Sequence, residues 1–144
     1  METLLISACL MGYDCKYSGG NNALPAAELE ALRQRYRLIP VCPELAGGLP
    51  VPRVPSERRG ERVVTRDGRD VTAQFQKGAA IAAALAARFG AKRALLKSNS
   101  PSCGASHVYD GSFSGRLIPG PGVTAEHLMN KNLIIYENCS KLLG

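Results

Sequence analysis

Apolar and polar positions along the chain change period several times, and each period predicts an element. Leu4-Leu5-Ile6-Ser7-Ala8 is a short, mostly apolar run bounded by polar and glycine-rich sequence, which suits a strand buried on both faces. From Ala26 to Tyr36 the apolar residues Leu29, Leu32 and Tyr36 recur at helical spacing behind Pro25, a residue the first helical turn tolerates. Arg37–Cys42 reads as a second strand, and Pro40 assigns it an end or an edge position. Val51–Val71 reads as an excursion from the scaffold, with a hairpin turning at Asp67-Gly68 between short extended pieces. Helical period returns at Thr72. Phe75, Ala79, Ala82, Leu85 or Ala86, and Phe89 form one stripe, with Thr72 to cap its start and Gly90 to close its end. Arg93–Lys97 is a third strand. Thr124 caps a short helix through Met129 with Leu128 as its apolar anchor, and Leu133–Tyr136 is the last strand. Gly111–Gly122 is rich in glycine and proline and too long for a mere connection, which marks a functional loop.

Strands alternating with helices imply parallel pairing through crossover connections. The expected fold is α/β: a Rossmann-like or flavodoxin-like open, mostly parallel sheet with helices on both faces, one domain over residues 1–144. Ligands in such sheets bind beyond the carboxyl ends of the strands.

Composition narrows the picture. A chain of 144 residues with 45% hydrophobic residues buries about two-thirds of its unfolded surface and needs no disulfide or metal to hold a core, so a cofactor has to be justified by chemistry. No run approaches the roughly 18 apolar residues of a membrane span; the longest candidate, Gly78–Ala87, is short and alanine-rich. Met1-Glu2-Thr3 lacks the basic start of a secretory signal, and a cytoplasmic protein is expected. The net charge of +6 raises the question of nucleic acid. Six arginines (Arg53, Arg58, Arg59, Arg62, Arg66 and Arg69) fall in one stretch, but Glu57, Glu61, Asp67 and Asp70 interrupt them. That pattern reads as a solvated loop and hairpin, with an anion-binding rim as the functional alternative.

Five cysteines, an odd number in a reducing compartment, point away from a disulfide framework and toward metal, catalysis or burial. Cys9 follows the first strand, Cys42 ends the second and Cys103 lies in the loop after the third, so all three fall on one edge of the expected sheet. Strands about 4.8 Å apart let sulfurs on consecutive strand ends converge without a contiguous motif, a separation suited to a polynuclear cluster. Such soft ligands, with only His107 and His127 as imidazoles, favour iron–sulfur or zinc. The close-set cysteines of a ferredoxin are missing. Cys15, six residues beyond Cys9, is a fourth ligand or a bystander; Cys139 reads as inert, and His107 as a surface residue within reach of the site.

Ser7-Ala8-Cys9-Leu10-Met11-Gly12, Pro43-Glu44 after Cys42, Gly47-Gly48-Leu49, Pro52-Arg53, Gly68–Thr72, Lys97–Gly104 and Tyr109-Asp110-Gly111-Ser112-Phe113 together resemble the 2-thiouracil desulfidases, a small family long catalogued as a domain of unknown function. The resemblance runs from the first strand to Thr124. It implies a desulfidase-like domain carrying a [4Fe-4S] cluster held by Cys9, Cys42 and Cys103, with one open iron site, and Glu44 and Ser100 as the catalytic pair. Cys15 is not a ligand in that picture. The implied reaction is non-redox desulfuration of a thiolated pyrimidine such as 2-thiouracil, a small-molecule partner, giving uracil and hydrogen sulfide.

The residues themselves are compatible with those roles. Glu44, two residues past Cys42, reaches the same space and suits a general base. Ser100 precedes Pro101 in a turn where serine is common for conformational reasons alone, and Ser102 is the neighbour with which it is most easily confused. Asp110 with the following loop suits hydrogen bonding to pyrimidine edges or an ordinary turn; Arg53 suits anion steering or plain exposure. Two other classes compete: a metal-dependent RNA-binding or thio-tRNA-processing protein, motivated by the arginine segment, and a zinc-stabilised interaction module.

Overall fold

The computed structural model describes residues 1–143. In chain order the elements are β1 (Glu2–Ser7), a 3₁₀ turn (Ala8–Met11), α1 (Ala26–Arg35), β2 (Tyr36–Val41), α2 (Pro43–Ala46), β3 (Ser56–Arg59), β4 (Arg62–Thr65), α3 (Thr72–Phe89), β5 (Arg93–Leu95), β6 (His107–Tyr109), β7 (Leu117–Pro119), α4 (Val123–Asn130), β8 (Ile134–Tyr136) and α5 (Ser140–Leu143). A four-stranded sheet of order β2-β1-β5-β8, parallel at every pairing, is the α/β architecture expected from the alternation. Among the described residues no helix is long and apolar enough to cross a membrane.

Side chains of β1 alternate between two cores, as the period-2 pleat requires. Leu5 packs with Ala94, with Ala82 and Ala86 of α3 and with Ala125 and Leu128 of α4. Leu4 and Ile6 pack on the other face with Leu95, Leu32 of α1, and Cys139 and Leu142 at the chain's end. The sheet is therefore covered on both faces. A third cluster of Val63, Val71, Phe75, Ala79 and Val123 docks the β3–β4 hairpin onto α3 and α4.

Several boundaries differ from the expectation for identifiable reasons. Pro40 lies on β2, which is an edge strand, as its missing N–H demands. The main hairpin turns at Gly60 between β3 and β4. Asp67-Gly68 makes a second hairpin turn, as expected, closed by the Gly68 N–H bonding to Thr65 O at 2.9 Å and with Val64 and Asp70 bridged antiparallel across it. β3, Ser-Glu-Arg-Arg, has no apolar alternation to betray it. Thr72 is the first helical residue of α3 and not its cap. Asp70 accepts the Thr72 N–H at 2.9 Å, while the Thr72 hydroxyl accepts the Val63 N–H at 2.9 Å and ties the hairpin to the helix. α4 likewise begins at Val123, and the Thr124 hydroxyl bonds to Ser102 instead of capping. The long glycine-rich loop contains β7, paired antiparallel with β6.

α2 meets α3 through two glycines. A Cβ on Gly78 would stand 1.9 Å from the Pro43 carbonyl oxygen, and one on Gly47 would stand 1.9 Å from the Gln74 carbonyl oxygen. Glycine inside a helix is ordinarily about 1 kcal/mol worse than alanine, so Gly78→Ala would normally stabilise α3. Here the sign reverses: the added methyl must push α2 away from α3. Gly78→Ala is expected to destabilise the protein by roughly 1–3 kcal/mol, the usual cost of overpacking, read as a lowered denaturant midpoint.

Candidate active site

Because β2, β1 and β5 are adjacent and parallel, their carboxyl ends deliver three loops to one edge. The first is the 3₁₀ turn with Cys9, closed by Gly12 at φ 96°. The second is the Val41–Pro43 junction with Cys42, and the third is the Ser100–Gly104 turn with Cys103. A cavity of about 500 Å³ lies among them, and Cys9, Cys15, Cys42, Cys103, Glu44 and Ser100 all line it.

Asn22 lies beside the Cys9 sulfur and Ser7 beside the Cys103 sulfur, each partly offsetting the effect of burial on the thiol. The Ser7 hydroxyl accepts the Lys97 N–H at 3.0 Å. The Cys42 thiol donates to Cys15 O at 3.7 Å. Burial pushes the Cys9 thiol up and drives both Cys103 and Cys15 up to about 12, the neighbouring thiols adding to the effect. These sulfurs are therefore neutral thiols unless a positive body compensates them. Among the described residues no three His, Cys, Asp or Glu side chains are arranged to hold a metal ion; the sulfurs of Cys9, Cys15, Cys42 and Cys103 belong to residues that share the lining of one cavity.

Glu44 projects from α2, whose docking is fixed by the glycine contacts with α3. Its side chain is 17% exposed and pairs with the Arg53 Nε at 3.1 Å. Burial raises the carboxyl above its ordinary range and Arg53 partly offsets this. Arg53 itself is neither exposed nor free to steer an anion. With 6% of its side chain accessible, it also donates to Pro50 O at 3.1 Å and Cys15 O at 2.9 Å. One guanidinium thus joins the Cys15 loop, α2 and the Pro50 segment.

Ser100 Oγ accepts the N–H groups of Ser102 and Cys103, both at 3.1 Å, so it shapes the cysteine turn while facing the cavity. Ser102 is fully buried and bonded to the Thr124 hydroxyl at 2.7 Å. The Asp110 carboxylate accepts the Ser112 N–H at 2.9 Å, a local turn. His107 is exposed, with its ring against Ser106. Cys139 is buried in the core beneath α1 and α5, away from the cavity.

Sequence reasoning missed the supporting residues Ser7, Asn22 and Glu57, and the hub role of Arg53. Asn22 carried a signal only as a polar residue before α1; Ser7 was hidden inside an apolar strand. Glu57 accepts the N–H groups of Gly111 and Phe113, both at 3.0 Å.

A model of the family described as 2-thiouracil desulfurase matches residues 4–138. The uncharacterized protein YbbK of Bacillus subtilis (strain 168) is 38% identical over 146 aligned positions, covering 94% of this chain and 95% of that protein. The solved structure of TudS, a [4Fe-4S]-dependent thiouracil desulfidase, superposes with a TM-score of 0.94 at 42% identity, covering 99% of this chain and 95% of that one.

The three-way hub at Arg53 makes its own prediction. Arg53→Ala strands a half-buried carboxylate and two carbonyls, and the expected loss is about 3 kcal/mol, the low end for breaking a buried ion pair. Arg53→Lys restores little of it, because one ammonium does not span three partners held by a planar fork. Thermal unfolding of both variants checks this.

Proposed function

The chain belongs to the 2-thiouracil desulfurase family, and from that membership we propose that it removes sulfur from a thiolated pyrimidine such as 2-thiouracil, releasing uracil and hydrogen sulfide. The observation that supports the reading is the convergence of Cys9, Cys42, Cys103, Glu44 and Ser100 on one cavity. Cys9, Cys42 and Cys103 would hold a [4Fe-4S] cluster. These soft donors line one cavity, with Asn22 beside Cys9, Ser7 beside Cys103 and the Cys15 carbonyl accepting the Cys42 thiol, the kind of surroundings that tune cluster sulfurs. When bound, the cluster supplies a Lewis-acidic iron without a protein ligand, matched to the soft exocyclic sulfur of the substrate.

The chain's own side chains account for the protons. Replacement of sulfur by oxygen consumes one water and needs no redox change: water gives its oxygen to the ring carbon, and the sulfur leaves as hydrosulfide. The Glu44 carboxylate takes the proton of the attacking water, and the buried Arg53 pair holds it at the cavity wall. Ser100 has its oxygen engaged by two N–H donors, which leaves its O–H to donate, toward the departing sulfur or the ring. Cys15 lines the same wall as a structural thiol whose carbonyl receives both Arg53 and Cys42.

Anaerobically purified protein is expected to be brown, to contain iron and acid-labile sulfide, and to release sulfide from 2-thiouracil. A colourless, zinc-loaded preparation would sink the reading. Glu44→Gln abolishes turnover with the visible spectrum of the cluster intact; full activity in that variant would remove Glu44 from the chemistry. Cys103→Ala loses the cluster, checked by iron content.

A further inference from the structure

One wall of the cavity has no role in the chemistry above. Phe113 is a bulky residue held at φ 58°, a left-handed conformation that is a genuine outlier for an aromatic side chain and persists only when its surroundings impose it. The surroundings are explicit. Glu57 accepts the N–H groups of Gly111 and Phe113, both at 3.0 Å. Arg59 donates to Gly111 O at 2.7 Å, and the Asp110 N–H bonds to Arg116 O at 2.9 Å. Gly111, at φ 92°, has no room for a Cβ, which would meet Arg59 Cγ at 2.3 Å.

The result of this bracing is a half-buried phenyl ring in the wall of the cavity that also holds Cys9, Cys42 and Cys103, with the Arg66 guanidinium 5.8 Å from the ring centroid. The other two phenylalanines lie elsewhere: Phe75 is in the core under the hairpin and Phe89 ends α3. A phenyl ring left half-exposed in the cavity wall, in a costly backbone conformation, presents an aromatic surface to whatever occupies the cavity. A flat heteroaromatic ring is the natural complement of a phenyl with a guanidinium over it, since both surfaces stack on π-systems.

We propose that Phe113, with Arg66 over its ring, is the platform on which the pyrimidine ring of the substrate stacks, and that it determines specificity for planar thiolated bases over non-planar thiocarbonyl compounds. The proposal rests on reading the cavity as a thiopyrimidine site. Phe113 fixes the plane of the ring, and Glu57, through two backbone N–H groups, positions Phe113.

Phe113→Ala and Phe113→Leu raise KM for 2-thiouracil about tenfold, the loss expected for one base–aromatic contact, with kcat within about twofold and iron content unchanged. Phe113→Tyr keeps the wild-type KM. Leucine retains apolar bulk and lacks a π-face, so the split between leucine and tyrosine separates stacking from simple filling of space. A second readout needs no turnover. The chain has no tryptophan, so Phe113→Trp installs a single tryptophan, excited selectively over the tyrosines, whose emission is quenched when 2-thiouracil or uracil stacks on it.

Wild-type KM in Phe113→Leu, or an unquenched Phe113→Trp, overturns the platform even if the protein desulfurates 2-thiouracil. Quenching by the base in a protein that releases no sulfide keeps the platform and discards the activity.

Discussion

Parallel pairing of three neighbouring strands is the constraint on which the site depends. In an antiparallel sheet alternate strands end on opposite edges, and Cys42, Cys9 and Cys103 would be separated by a strand length. With β2, β1 and β5 side by side and parallel, each run of apolar residues ends at the same edge, and the residue that leaves the strand is delivered to a shared space. Ser7 shows how closely strand and site are joined. It is the last residue of β1; its hydroxyl accepts the N–H of Lys97 as the chain leaves β5 and lies beside the Cys103 sulfur. A buried polar side chain in a strand otherwise made of leucine and isoleucine is there to hold the next strand's loop.

Burial raises the pKa of the Cys9 and Cys103 thiols, and a buried thiolate is stable only beside positive charge. Binding of a metal at these sulfurs would therefore be coupled to release of their protons. The carboxylates nearby are not left to compete for it. Glu44 is engaged by Arg53, and Glu57 by two backbone N–H groups. Each acid therefore has a defined local partner.

Elements carried by hydrophobic period were legible in the sequence: β1, α1, α3 with its closing Gly90, and the order of strands and helices that implied the parallel sheet. Elements carried by polar sequence were not. β3 is Ser-Glu-Arg-Arg, and its strand conformation is imposed by pairing with β4 and by the buried Glu57. Thr72 and Thr124 look like caps from local chemistry, yet tertiary partners, Val63 and Ser102, claim their hydroxyls. The three cysteines could be placed on one edge because their positions follow strand ends. The hub at Arg53 could not be read, since its carbonyl acceptors at Cys15 and Pro50 are brought together only by the fold.

The arginine segment shows that a run of basic residues along a chain is not a run of free charges. A cluster of basic residues reads as an anion-binding rim or a solvated hairpin, but several of these side chains bind inward. Arg58, with 11% of its side chain accessible, donates to Gly60 O and Pro121 O, both at 2.7 Å, and pairs with Glu126 of α4. Arg59 holds Gly111, and Arg53 holds three loops at once. Loops of this length have too few apolar side chains to pack themselves, so their carbonyls need donors that reach across. A guanidinium supplies five N–H groups in a rigid plane and keeps its charge at any ordinary pH. That allows it to fix two or three chain segments with the loss of one side chain's freedom. Arg53, Arg58 and Arg59 are thus part of the framework that holds the loops around the cavity.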